Sequence, residues 1–296
     1  MRLIKLAAAA AILGAAGCAG LQPNDVVDIA GKAWEKREAI AKAGGALRKG
    51  FSELTPEEEY YIGRAVAATI LGKYKAVDDP AKTAYINYVG QALARHSTMP
   101  ETFAGYHFLL ISSDEVNAFA APGGFVFVTT GLYSKLKNEE QLAAVLAHEI
   151  SHVTLKHGLA AIKTANLTQA FTIIGTEAAK EYGGKELGQL TAAFENTIGD
   201  IVNQLVVNGY SRGQEYDADN EALKVASKAG YDPAGLTDFL GTLAALEGKG
   251  GGAGFFKTHP PAAERLTNAT ATVSKEGLKG MAEKSRSDRF KRHAII

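Results

Sequence analysis

In the stretch NEEQLAAVLAHEISHVTLKHG, Asn138 to Gly158, His148 and His152 stand four residues apart, with Glu149 directly after the first. Leu142, Val145, Leu146, Ile150 and Val153 form an apolar stripe around them, so the segment reads as a partly buried helix with an N-cap at Asn138. Residues four apart on a helix lie almost one above the other. Both imidazoles therefore project from one face, where they can share a zinc ion through bonds of about 2.0–2.1 Å. Glu149 projects to the side, within reach of a metal-bound water but outside the coordination positions, and HExxH is the spacing that zinc peptidases use. The plain alternative is a pair of histidines hydrogen-bonded on a core helix, but neutral imidazoles in an apolar helix need a partner for each nitrogen.

Two histidines leave a metal short of a protein ligand. In the pattern HExxHxxGxxH, Leu155 occupies the glycine position and Gly158 that of the third histidine, so that arrangement fails. His157 falls one position early and is expected off the metal, in a structural or surface role. SRGQEYDADNEALKVA offers a better candidate: Ser211 reads as an N-cap, with Glu215 and Asp219 on one face of the helix it opens. Glu215 can bind the metal while Asp219 accepts the N–H of a ligating histidine and fixes its orientation. Acidic residues in a first turn are also favoured by the helix dipole alone, so it is their coincidence with HExxH that carries the reading.

These side chains need a scaffold. Thr55-Pro56-Glu57-Glu58 reads as a capping box opening a helix to about Lys75, and a second helix runs from about Pro80 to His96. Tyr106–Ser112 and Gly124–Gly131 are rich in β-branched and aromatic residues and read as strands, with a short extended piece between them. Helices are expected at Asn138–His157, Gly158–Lys180, Leu187–Val207, Ser211–Ala229, Pro233–Leu246 and Pro260–Thr270. The glycine-rich run Glu247–Gly254 is a flexible loop without the GK[ST] ending of a phosphate loop.

The chain of 296 residues can bury a sizeable core, and its formal net charge of zero removes the electrostatic case for nucleic acid as a partner. Residues 1–17 read as a signal peptide: Arg2 and Lys5, then an uncharged apolar run, then small residues. Cys18, the single cysteine, follows Ala15-Ala16-Gly17, which resembles a bacterial lipobox with alanine where leucine is usual. That resemblance implies lipidation at Cys18, and Ala19 implies an outer-membrane lipoprotein facing the periplasm of a Gram-negative bacterium. Residues 18–50 would be a tether with a short helix around Trp34, 51–275 the catalytic domain and 276–296 a polar tail that frays. No run after the signal peptide approaches the length of a membrane span.

HEISH, SRGQEYDAD, NAFAAPGG and THPPAAERL together resemble the HtpX and type I CAAX-prenyl-protease family of gluzincin metallopeptidases, over about Thr55 to Leu266. The chain is similar to the soluble periplasmic branch that includes the β-barrel-assembly-enhancing proteases, without the tetratricopeptide array carried there. The resemblance implies an α+β, predominantly helical zincin-like domain with a small β-sheet. It implies one zinc ion per chain on His148, His152 and Glu215, with Glu149 as base and Asp219 behind a ligand. Asn117, Ala118 and Phe119 would form the edge along which a peptide adds as a strand; on its own Asn117 reads as a turn residue. His259 and Arg265 would approach the metal as catalytic groups, although Thr258-His259-Pro260-Pro261 alone is simply a helix start. His259 would donate to the reacting carbonyl or, as a fourth ligand, plug the site.

The implied activity is zinc-dependent endopeptidase action on misfolded or stalled cell-envelope polypeptides, from a membrane-anchored position. Two other readings stay open: a periplasmic chaperone or assembly factor with a mainly structural zinc, and a membrane-surface binding module that needs no metal.

Overall fold

The computed structural model describes residues 54–160, 198–247, 258–259 and 261–293. The signal peptide, Cys18, the tether around Trp34, the glycine-rich loop and most of the helices expected between residues 158 and 207 lie outside them.

Helix α1 (Pro56–Lys73) opens on the expected capping box: Glu58 donates its backbone N–H to Thr55 Oγ1 at 3.2 Å, and Thr55 donates its own to Glu58 Oε2 at 2.8 Å. A short strand β1 (Lys75–Ala76) leads to α2 (Pro80–Ala94), capped by Asp79. Strands β2 (His107–Ser112), β3 (Ala118–Ala121) and β4 (Phe125–Thr129) complete a four-stranded sheet in the order β1-β2-β4-β3. β2 and β4 are parallel, while β1 and β3 run antiparallel to their neighbours. The two-residue β1 had no periodicity to announce it, and the extended piece between the expected strands is the edge strand β3.

The turn Pro122–Gly124 between β3 and β4 demands its glycines: Gly123 has φ 73° and lies against the backbone of α1. On the helix, a Cβ at Gly63 would come within 1.8 Å of Pro122 O, so this residue lets α1 and the turn meet backbone to backbone. Asn87 of α2 donates Nδ2 to Phe108 O at 2.6 Å and accepts from Phe108 N at 3.1 Å, which fixes that helix along β2.

β4 is shorter than expected. The Thr129 hydroxyl accepts from Leu132 N at 3.1 Å and starts a one-turn helix, α3 (Thr130–Tyr133). Helix α4 (Glu139–Thr154) follows, capped by Asn138, whose Oδ1 accepts from Gln141 N at 2.9 Å. Every residue from Glu139 to Val153 is buried, making α4 the axis of the core. It packs against α2, β3 and four later helices, and the loss of its apolar faces from water is a main stabilising term.

The expected helix to His157 stops early. Leu155 is the C-cap, and Lys156 takes φ 57°, a left-handed conformation uncommon outside glycine, before the short α5 (His157–Ala160) begins. Residues 198–203 are helical and run into a π-helical turn, Gln204–Asn208. α6 (Arg212–Lys228) and α7 (Ala234–Glu247) follow. α8 (Ala262–Glu276) extends six residues past the expected end and stops at Gly277, φ 61°.

The polar tail is a correction. α9 (Lys284–Arg292) is a helix with a buried Phe290 stacked on Tyr133, ring centroids 5.8 Å apart. Its charges read as solvated because their partners are remote in sequence: Arg289 Nε donates to Glu139 Oε2 at 2.8 Å, across 150 positions. No helix among the described residues is long and apolar enough to cross a membrane.

Candidate metal centre

α4 places His148 and His152 on one face, their rings edge to face with centroids 4.6 Å apart. α6 meets that face at its first turn. Ser211 caps α6 through a capping box with Gln214, which fixes the turn that carries Glu215. His148 Nε2 and His152 Nε2 lie 3.0 Å apart, and the Glu215 carboxylate oxygens lie 3.5 Å from the first and 3.4 Å from the second. All three residues are buried.

The second nitrogen of each ring decides whether a cation fits. His148 Nδ1 is 3.0 Å from Asp219 Oδ1, to which it donates. His152 Nδ1 is 2.9 Å from His157 Nδ1, and donation there leaves both Nε2 atoms as lone pairs facing one point. Two lone pairs and a carboxylate converging in a buried space repel unless a cation lies between them. A tetrahedral zinc holds its ligand atoms about 3.3 Å apart, close to the separations found. Burial pushes His152 down to about 3, against the opposing Glu215, so its ring is neutral as a ligand must be.

Arg265 of α8 braces the carboxylates. Its Nε and Nη2 grip Asp219 in a two-pronged pair at 2.8 and 2.7 Å, and its Nη1 lies 2.8 Å from Glu215 Oε2. The guanidinium is buried, and its charge is matched by the two carboxylates rather than by water. Burial pushes Glu215 upward, but His259 and Arg265 outweigh it and hold the carboxyl well below the usual range. Glu149 differs. Burial raises it to about 7 with His148 only partly opposing, and its Oε1 has no hydrogen-bond partner. A carboxylate so poised can take and return a proton.

His259 stands beside the same point, Nδ1 2.8 Å from Glu215 Oε1. His148, His152, Glu215 and His259 each offer a ligand atom, all within 4.8 Å of one another. The segment bearing His259 is held through peptide groups: Tyr210 N donates to Thr258 O at 3.0 Å, and a Cβ on Gly209 would come within 2.0 Å of that oxygen. Thr258 Oγ1 also donates to Asn117 Oδ1 at 3.2 Å.

Asn117 is buried just ahead of β3, and its Nδ2 has no partner. Its carbonyl accepts from Thr129 N at 3.1 Å. With that register, Phe119 bonds to β4 as well, and it is Ala118 and Ala120 that turn their peptide groups toward the open edge. The Phe119 ring lies instead near Tyr74, centroids 5.8 Å apart.

His157, expected off the metal in a structural or surface role, is buried against His152, brought there by the left-handed Lys156. One residue escaped the sequence reading. Tyr210 stacks flat on His152, centroids 4.1 Å apart and planes 16° apart. Its position next to the N-cap Ser211 was the only hint.

A helix that aims HExxH at a carboxylate from a second helix makes this a metallopeptidase of the zincin class. Residues 80–273 match Peptidase family M48, and the chain belongs to that family, whose members are zinc metallopeptidases. It is 31% identical over 192 residues to the β-barrel assembly-enhancing protease of Escherichia coli, covering 65% of this chain and 39% of the relative. It is 29% identical over 173 residues to metalloprotease LoiP of the same organism, covering 58% and 65%. To the mitochondrial metalloendopeptidase OMA1 of Schizosaccharomyces pombe it is 29% identical over 227 residues, covering 74% and 62%. The chain thus spans less than two thirds of the length of each of these relatives.

Proposed function

We propose that this chain is a zinc-dependent endopeptidase in which His148, His152 and Glu215 hold the metal, Glu149 is the base, and His259 closes the site at rest. The observation that supports it most is the pair of Nε2 atoms 3.0 Å apart, each ring anchored through Nδ1, next to a carboxylate with an open oxygen. The zinc, when bound, supplies Lewis acidity that lowers the pKa of water and polarises a carbonyl. Glu149 takes the proton of the attacking water and returns it to the leaving amine. A peptide adds along Ala118 and Ala120, with Asn117 at the end of that edge. Asp219 orients His148, and Arg265 holds Asp219 and Glu215 in place. His259 accounts for latency: while it lies against Glu215 it fills the space that a substrate carbonyl needs.

The substrates we infer are misfolded or stalled cell-envelope polypeptides, in keeping with a relative named for enhancing β-barrel assembly. The leader and Cys18 support a lipid-anchored position on the periplasmic face of the outer membrane. Metal content measured with casein hydrolysis, with and without a chelator, tests the reading. One zinc per chain and chelator-sensitive cleavage are expected; a fully metallated protein that cleaves nothing, even as His259→Ala, would sink it. The four-donor cluster also suits a second reading, a chaperone or assembly factor with a closed structural zinc. Glu149→Gln separates the two, because a structural site keeps its biological function without the base.

A further inference from the structure

Around the centre, among the described residues, Asn117 Nδ2, Glu149 Oε1 and the Tyr210 hydroxyl are buried without a hydrogen-bond partner, whereas Glu215 Oε2 and Arg265 Nη1 face each other as an ion pair at 2.8 Å. Buried polar atoms are rarely left open, and those that are need a partner that comes and goes. Asn117 and Glu149 already have work under the peptidase reading. Tyr210 does not, although its residue is only 9% exposed and its ring is pinned from two directions. One is the flat stack on His152; the other is the backbone bond from Tyr210 N to Thr258 O at 3.0 Å.

We infer that Tyr210 is a further catalytic residue, its hydroxyl donating a hydrogen bond to the scissile carbonyl oxygen as that oxygen becomes an anion. This rests on the peptidase reading. The three open atoms then complement one peptide bond: Asn117 and Tyr210 offer donors, and Glu149 offers the acceptor for the proton of water. As the water oxygen bonds to the carbonyl carbon, the π electrons of the C=O bond move onto oxygen, and the Tyr210 O–H donates to that charge. The C–N bond then breaks, the amine leaves with the proton carried by Glu149, and Tyr210 keeps its own throughout. A platform that merely packs on His152 would not leave its hydroxyl both buried and open.

The test compares full-length wild type with Tyr210→Phe, which keeps the ring and removes the donor. Zinc per chain and thermal midpoint are measured first, then kcat and KM on a fluorogenic peptide. Last comes the affinity for a phosphinic peptide, whose tetrahedral anion mimics the charged oxygen. Tyr210→Phe should keep its zinc and midpoint, lose about 100-fold in kcat with KM within about twofold, and bind the phosphinic peptide correspondingly more weakly. Unchanged kcat and phosphinate affinity would overturn the inference, as would loss of zinc, which would make Tyr210 a support for His152 alone. If the wild type shows no turnover, the pair is compared in the His259→Ala background. No turnover there removes the peptidase reading, yet the phosphinic titration in that background still decides the donor. A chain that binds no phosphinic peptide there overturns the donor.

Discussion

The two ends of α4 each bury carboxylates, and they treat them in opposite ways. At its start, Glu139 is wholly buried and every approach is answered: Tyr85 donates at 2.8 Å, Tyr231 at 3.1 Å, and Arg289 through two nitrogens. Glu140 beside it accepts from Asp232 N at 2.9 Å and pairs with Arg286. Near its other end, Glu149 is just as buried but keeps an oxygen open, within a turn of two imidazoles whose Nε2 atoms lie 3.0 Å apart. One helix thus carries a cluster that closes on itself and one completed from outside. Burial of carboxylates is common to both; unfinished hydrogen bonding marks the one proposed to do chemistry.

The largest effect that would sharpen this contrast is at the open end. Glu149→Gln should retain zinc and fold yet lose at least about 1,000-fold in kcat, read by peptide turnover alongside metal analysis. Retained activity would mean that the open oxygen is incidental. Next come the supports. Asp219→Ala and His157→Phe should each weaken zinc affinity about 10–100-fold, followed by competition with a chromogenic chelator. An unmoved affinity would show that the ring anchors are dispensable.

The closed end should answer only in stability. Glu139→Ala leaves two phenols and a guanidinium without their shared acceptor, so a cost of about 3 kcal/mol in chemical denaturation is expected, with zinc content unchanged. If zinc is lost at an unaltered unfolding midpoint, the two ends are not independent. Smallest is Thr55→Ala, which removes the cap of α1 and should cost about 1 kcal/mol without touching either cluster.

Much of this was legible because it is local. The HExxH spacing, the shared face of Glu215 and Asp219, and the caps at Thr55, Asp79, Asn138 and Ser211 follow from helical periodicity and from backbone groups a few residues away. The edge strand was read only as an extended piece, since four buried residues show no alternation. His157 was expected off the metal in a structural or surface role; which of the two could not be told, because its burial against His152 depends on the left-handed Lys156 just before it. α9 looked like a solvated tail because its basic residues are balanced by carboxylates more than a hundred positions upstream. Tyr210 could not be found from spacing at all, since its hydroxyl has meaning only in relation to what it fails to touch.

The grip on the segment carrying His259 has a consequence for control. Gly209 has φ 71° and lets the main chain at Thr258 press against it so closely that even one added carbon would act as a wedge. This part of the fastening is made of peptide groups, with no charge to neutralise and nothing to titrate, so it should persist even where acidity loosens His259 from Glu215. Loosening that part takes a mechanical pull, or a visiting backbone that outcompetes the resident one for the same partners.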